Sequence, residues 1–225
     1  EHPRVFVDIT VQDRAGNPIV GLDSGNFVVT EDRRPVGPAV LERAGYLEDR
    51  AELVLLADRS LRTAELESEM RDAVTRLLED MSGRGRSRVV TAGPSPVLEA
   101  EAGSAELTQI NAMSRAGDFS SNWSLDLAAR FSVGELIPER GRKAVVFFTS
   151  GQLPDTAFED YGLVEIMQYH RNANVPFFVV AISGDRIDPD LRFLAEETGG
   201  SIYRLFAPEG LDGIAEQILG TPSGQ

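Results

Sequence analysis

The chain has 225 residues, 42% of them hydrophobic and 26% charged, an ordinary balance for a globular protein. A formal net charge of −14 sets it against phosphate backbones and anionic membrane surfaces, so nucleic-acid binding is not expected. The absence of cysteine excludes disulfides, thiolate nucleophiles and Cys-ligated zinc. No apolar run reaches the ~20 residues of a membrane span, so no membrane insertion is expected. The sequence begins Glu-His-Pro, which leads us to expect that a targeting segment precedes it.

Residues 4–44 read as β. Residues 4–12 (RVFVDITVQ) alternate, with Val5, Val7, Ile9 and Val11 on one face. Turn chemistry at 13–18 (DRAGNP) leads to a second strand at 26–30, a tight turn at 31–35 (EDRRP) and a third strand at 36–43. This is too little chain for a sandwich of about 100 residues, so the layer is expected to need further support.

From Ala51 the period changes. Leu53-Val54-Leu55-Leu56 forms a short buried strand, followed by Asp58-Arg59-Ser60-Leu61-Arg62 and a helix over 64–81 with an apolar stripe at Leu66, Met70, Ala73, Val74, Leu77 and Leu78. Strands follow at 87–91 and 96–100, then helices at 105–115 and 124–136. Residues 142–149 (RKAVVFFT) make a strand apolar enough to be buried on both faces. A helix at 158–172, a strand at 176–182 and a helix at 188–198 come next. The last of these stops at Gly199-Gly200, as helix C-termini prefer. A strand at 201–206 and a helix at 209–219 close the pattern. The alternation over residues 51–220 predicts an α/β fold: a doubly wound, mostly parallel sheet with helices on both faces. The expected division is a β-rich segment at 1–48, an α/β domain at 49–220 and a tail at 221–225.

In such sheets ligands gather at the carboxyl ends of the strands. Three loops should meet there: 58–62, 118–121 (DFSS) and 149–152 (TSGQ). Asp58 and Ser60 are equally suited to a turn and a helix cap, and Ser150 to a strand end. His2 and His170 are the two histidines. A Ser-His-Asp triad would have to use His170, and no Gly-x-Ser-x-Gly elbow accompanies it, so a surface or packing role is expected. Trp123 reads either as a core aromatic or as an exposed contact for a partner.

These loops carry a resemblance. Leu55–Ser60 (LLADRS) is similar to the opening strand of a von Willebrand factor type A (VWA) domain, which normally ends in Asp-x-Ser-x-Ser. Residues 145–151 (VVFFTSG) resemble its middle strand, usually closed by Thr-Asp-Gly. Residues 119–127 resemble its Gly-Gly-Thr loop and following helix, and 191–203 its late helix–Thr-Gly-Gly–strand segment. The pattern Asp13…Gly16…Pro18…Gly21-Leu22…Phe27…Glu31-Asp32 resembles the β segment ahead of this domain in a bacterial group of exported, VWA-related proteins. Further strands usually follow the domain in that group, so this chain is expected to be a shortened piece.

The resemblance implies a metal-ion-dependent adhesion site for Mg²⁺ or Mn²⁺, built from two aspartates, two serines and a threonine. Carried over, Asp58 and Ser60 match, and Ser121 (or Ser120) stands at the threonine position. Arg62 replaces the second serine and Ser150 the second aspartate. A lost carboxylate and a gained guanidinium weaken a dication site. The expectation is therefore a vestigial site with no cofactor, in which Arg62 turns inward and competes for the ion's space. If Arg62 points outward, only a weak, hydrated Mg²⁺ or Mn²⁺ is expected. The implied function is a non-enzymatic protein-interaction, adhesion or assembly module. It would be periplasmic or extracellular and would meet a protein partner through Arg62, Phe119, Trp123 and Gln152. Two alternatives stand beside it. One is a Mg²⁺-dependent phosphohydrolase resembling the haloacid dehalogenases, although Ser60 replaces that family's second Asp and Lys143 lies at the wrong end of its strand. The other is a structural role through the β segment.

Overall fold

The structure is a computed structural model that describes residues 9, 11, 22–36, 50–115, 119–121, 123–139, 141–184, 186–207 and 209–219. Internal contacts divide the chain into two units, residues 1–46 and 47–225.

In the first unit a 3-10 turn, Ser24–Asn26, is fixed by reciprocal caps. Gly25 N donates to the Asp23 carboxylate at 2.9 Å, and Asp23 N donates to Asn26 Oδ1 at 2.8 Å. This turn occupies the start of the strand expected at 26–30. Thr30–Glu31 (β1) pairs antiparallel to Arg34–Pro35 (β2), and Val36 N donates to Val29 O at 3.0 Å. Asp32 and Arg33 join the two with φ of 48° and 66°. Two consecutive left-handed residues match the right-handed twist of a hairpin. The strands expected at 4–12 and 36–43 fall almost wholly outside the described residues.

The second unit holds a six-stranded sheet in the order β5-β4-β3-β6-β7-β8. Its strands are Ala51–Asp58 (β3), Gly85–Ala92 (β4), Val97–Ala100 (β5), Arg142–Thr149 (β6), Phe177–Ala181 (β7) and Ile202–Arg204 (β8). All neighbours are parallel except β5, which returns antiparallel beside β4. The helices are Glu67–Asp80 (α1), Glu106–Ser114 (α2), Leu125–Leu136 (α3), Leu163–Asn172 (α4), Pro189–Thr198 (α5) and Ile214–Leu219 (α6).

The pleat explains the layering. Side chains on a strand alternate between faces. Leu53, Leu55 and Ala57 join the apolar cluster that holds the buried residues of α1, α2 and α6. Val54 and Leu56 join the cluster of α3, α4 and α5. All eight residues of β3 are buried, as a central strand covered on both faces requires. The carboxyl end of β3, with Asp58, is thus set in the middle of the sheet's upper edge.

Three helices, α1, α4 and α6, start later than their apolar periodicity suggests, and the first two delays have a local cause. Before α1, the Thr63 hydroxyl donates to the carbonyls of Asp58 and Ser60, at 2.8 and 2.9 Å, and holds the chain in a turn. Before α4, the buried carboxylate of Asp126 accepts from Asp160 N at 2.9 Å and Tyr161 N at 2.7 Å. At the far end of α5, Gly199 takes φ of 83° as the left-handed cap. A Cβ on the next residue, Gly200, would stand 2.1 Å from the Phe177 carbonyl oxygen, so only glycine lets the turn lie against β7.

Candidate functional site

Asp58 ends β3 with no solvent exposure. Its Oδ1 accepts from Ser60 N at 2.7 Å, an Asx-type turn that reverses the chain out of the sheet. Its Oδ2 accepts from the Thr149 hydroxyl, also at 2.7 Å, from the end of the neighbouring strand β6. Thr149 Oγ1 in turn accepts from Gly151 N at 3.1 Å. Burial pushes the Asp58 carboxyl above its ordinary value, against the opposing pull of hydrogen bonds from Thr149 and Ser60. The Ser60 hydroxyl faces the same carboxylate, close enough to favour its ionised form, yet it is buried without a hydrogen bond of regular geometry.

The second loop joins this one through its backbone. Ser120 N donates to Arg59 O at 2.9 Å, and Ser60 and Ser120 form an isolated parallel bridge. It is Ser120 that lies beside Ser60. Ser121, the residue expected at the threonine position, is exposed. Asp118 lies outside the described residues. The third loop closes the other side. Ser150 is buried, with its carbonyl accepting from the Ser183 hydroxyl at 2.7 Å. Gly151 takes φ of 94°, and its carbonyl accepts from Asp188 N at 2.8 Å.

Several expectations for individual side chains are corrected here. Arg62 does not turn inward: it is exposed at the rim and makes no ion pair with Asp58. The buried arginine is Arg59, whose guanidinium donates to Ala112 O at 2.7 Å and Arg115 O at 2.8 Å, at the C-terminal end of α2. Carbonyls left over at a helix terminus carry partial negative charge, which a guanidinium satisfies well. The same guanidinium lies 5.4 Å from the Phe119 ring centre, so Phe119 packs on Arg59 within the chain. Trp123 is not an exposed contact. Only 1% of its surface is accessible, and its ring centre lies 6.2 Å from that of Phe147 in the core. Gln152 is half-buried, and its amide donates to Arg186 O, which ties the third loop to the segment before α5. Of the four residues expected to meet a partner, Arg62 alone is fully at the surface. Leu61, 59% exposed, stands next to it.

The donor set fits a hard dication poorly. Among the described residues Asp58 is the one carboxylate in it, burial disfavours its charge, and both its oxygens already accept from the protein. Among the described residues no group of three or more His, Asp or Glu is placed to hold a metal ion. Catalytic geometry is equally sparse. His170 is buried, 2.9 Å from Val175 O through Nδ1, and its Nε2 has no partner. Lys143 sits at the amino end of β6 and donates to Ile137 O at 3.3 Å, at the edge of the sheet opposite Asp58.

Comparison of the sequence with protein-family models and with curated proteins finds no match. The fold does match solved structures. The SpRpn10 VWA domain is 14% identical and superposes with a TM-score of 0.57, over 78% of this chain and 99% of that one. An aerotolerance-related membrane protein from Bacteroides fragilis NCTC 9343 is 13% identical, with a TM-score of 0.56 over 74% of this chain and 94% of that one. The pilus adhesin SpaC from Lactobacillus rhamnosus GG, in its open conformation, is 9% identical, with a TM-score of 0.55 over 77% of this chain and 30% of that one. The chain therefore carries a von Willebrand factor type A fold. No helix among the described residues is long and apolar enough to cross a membrane.

Proposed function

We propose that this protein is a non-enzymatic interaction module of bacterial adhesion or assembly machinery, which meets its protein partner at the carboxyl edge of the sheet without a bridging metal ion. The observation that carries the reading is the state of Asp58: buried, its charge disfavoured, and bonded through both oxygens to Ser60 N and Thr149. A carboxylate used this way ties the first loop to the end of β6 and does not reach outward. Contact with a partner then falls to the exposed pair Leu61 and Arg62, an apolar side chain beside a cation. Their chemistry suits an acidic, partly apolar patch. A pilus adhesin and a bacterial membrane protein among the structural neighbours support the adhesion or assembly setting and an exported location. The buried His170, bonded to Val175 O, and the remote Lys143 support a non-enzymatic role, since neither can serve a reacting group at the Asp58 edge.

Photo-crosslinking tests this reading. A photoreactive residue at position 61 or 62 should trap one discrete partner in the source cell envelope, equally with and without a chelator. The same residue at Val164, exposed on α4, should not trap that partner. Loss of the product on chelation, or a product at Val164 and none at 61 or 62, would sink the proposal.

A further inference from the structure

Away from the carboxyl edge, α3 carries a feature that neither the core nor the Asp58 loops explain. Arg130 lies against two tyrosines, its guanidinium carbon 4.6 Å from the ring centre of Tyr161 and 4.7 Å from that of Tyr169. Tyr161 is fixed by its backbone N–H to the buried Asp126 carboxylate, and Tyr169 by its place on α4. The guanidinium is thus held against two aromatic rings. Stacking uses the faces of a guanidinium and leaves its N–H edge for a planar acceptor. No side chain of the described residues takes that edge: Arg130 has no hydrogen bond and no ion pair, in a chain with 36 acidic residues. The acid that lines this groove, Glu135, has its carboxylate 3.6 Å from Arg88.

The clamped arginine lines a groove of about 380 Å³ with Pro96, Phe131 and Gly134. Residues 127, 130, 131 and 134 follow the i, i+3, i+4, i+7 spacing of one helix face. Gly134 is the odd member. It sits inside α3, where glycine is unfavourable compared with alanine. A Cβ there would meet nothing within 4 Å, and its φ is not left-handed, so neither packing nor backbone strain within the chain calls for a glycine. What the glycine does is leave the floor of the groove open.

We infer that this groove is a second protein-docking site, separate from the carboxyl edge, and that its occupant is a short peptide segment of a partner bearing an Asp or Glu among apolar residues. The carboxylate pairs with the free edge of Arg130, and the apolar neighbours lie on Phe131, Pro96 and the exposed backbone at Gly134. The argument for this occupant is charge complementarity: the groove offers a fixed, unpaired cation on an apolar floor.

The test uses an array of nine-residue peptides, each with a central Glu or Gln in varied apolar surroundings, probed with the full chain and quantified by fluorescence polarisation. Retained peptides should be those with Glu, and their Gln counterparts should bind at least tenfold more weakly. Gly134→Leu fills the floor without a Cβ clash and should melt no lower than the natural protein, yet lose binding at least tenfold. Arg130→Gln should erase the preference for Glu over Gln. Arg62→Glu, at the other site, should change nothing here. Absence of any retained peptide, equal binding of Glu and Gln peptides, or unchanged binding by folded Gly134→Leu would overturn the inference. None of these outcomes bears on the carboxyl-edge proposal.

Discussion

The most quantitative expectation concerns acid and His170. The ring is fully buried, edge-on to Phe177 with centres 5.3 Å apart, and burial lowers its pKa from 6.5 to about 4. Nδ1–H donates to Val175 O, which leaves Nε2 to take up the proton where no acceptor or water-facing side is available. The unfolded chain therefore protonates first as pH falls. Stability from this group is intact above about pH 6.5, is lost as pH falls through that interval, and is fully lost below about pH 4. At about 1.4 kcal/mol per pH unit the loss amounts to ~3 kcal/mol, a large part of the 5–15 kcal/mol that holds a typical domain together. Urea unfolding at 25 °C, repeated from pH 7.5 to 4, measures it. His170→Asn lowers stability at pH 7.5 through lost packing but removes the titration. The gap between the natural protein and the variant should then shrink by ~3 kcal/mol towards pH 4. The other histidine, His2, is unchanged between the two proteins and cancels in the difference. A gap that stays constant within about 0.5 kcal/mol across the range would refute the reasoning.

Three further outcomes follow from the same geometry. Asp58 works in the opposite sense: its folded pKa lies above 3.8, so its ionisation erodes stability as pH rises through the folded value. Asp58→Asn should flatten that slope and leave stability at pH 7 unchanged or higher, whereas Asp58→Ala, which strands Ser60 N and the Thr149 hydroxyl, should cost about 1–3 kcal/mol in urea unfolding. Trp123→Ala should cost about 3–5 kcal/mol, as a buried aromatic does; a change below about 1 kcal/mol would return Trp123 to the surface. Gly200→Ala drives a Cβ into the Phe177 carbonyl and should cost more than about 3 kcal/mol, seen as a fall in Tm of many degrees or loss of folded protein.

The architecture was legible because its signals are long and redundant. A continuous apolar run such as Val145–Phe148 can only be a covered strand or a buried helix, and the alternation of strands with helical stripes settles which. Helix starts were less legible. The apolar spacing extends back through residues 64–66, but a single hydroxyl, Thr63, bonded to two carbonyls delays α1 to Glu67. At the site, the motif positions Asp58, Ser60 and Ser150 do come together at one edge, where chain order and parallel topology put them. The directions of side chains did not follow from the motif. Arg59 and Arg62 are the same residue type three apart, and nothing local says which is buried. The choice is made by the carbonyls at the end of α2, more than fifty residues later. Thr149 was read only as part of a strand end, although a hydroxyl there is well placed to bond a carboxylate on the neighbouring parallel strand. Nothing in the residue type of Leu61 marks it as exposed, and its exposure follows from the turn that Thr63 imposes. The clamp at Arg130 depends on Tyr161 and Tyr169, which periodicity cannot bring to α3.

The central claim is that the carboxyl edge acts without an ion, and titration calorimetry of chelator-treated protein tests it most directly. Mg²⁺ and Mn²⁺ at millimolar concentration should give no binding heat with the natural protein. An Arg62→Ser, Ser150→Asp double variant, which restores a serine and a second carboxylate to the same loops, should bind. Saturable binding of either ion by the natural protein below millimolar concentration would contradict the account and would make Asp58 a ligand instead of a brace.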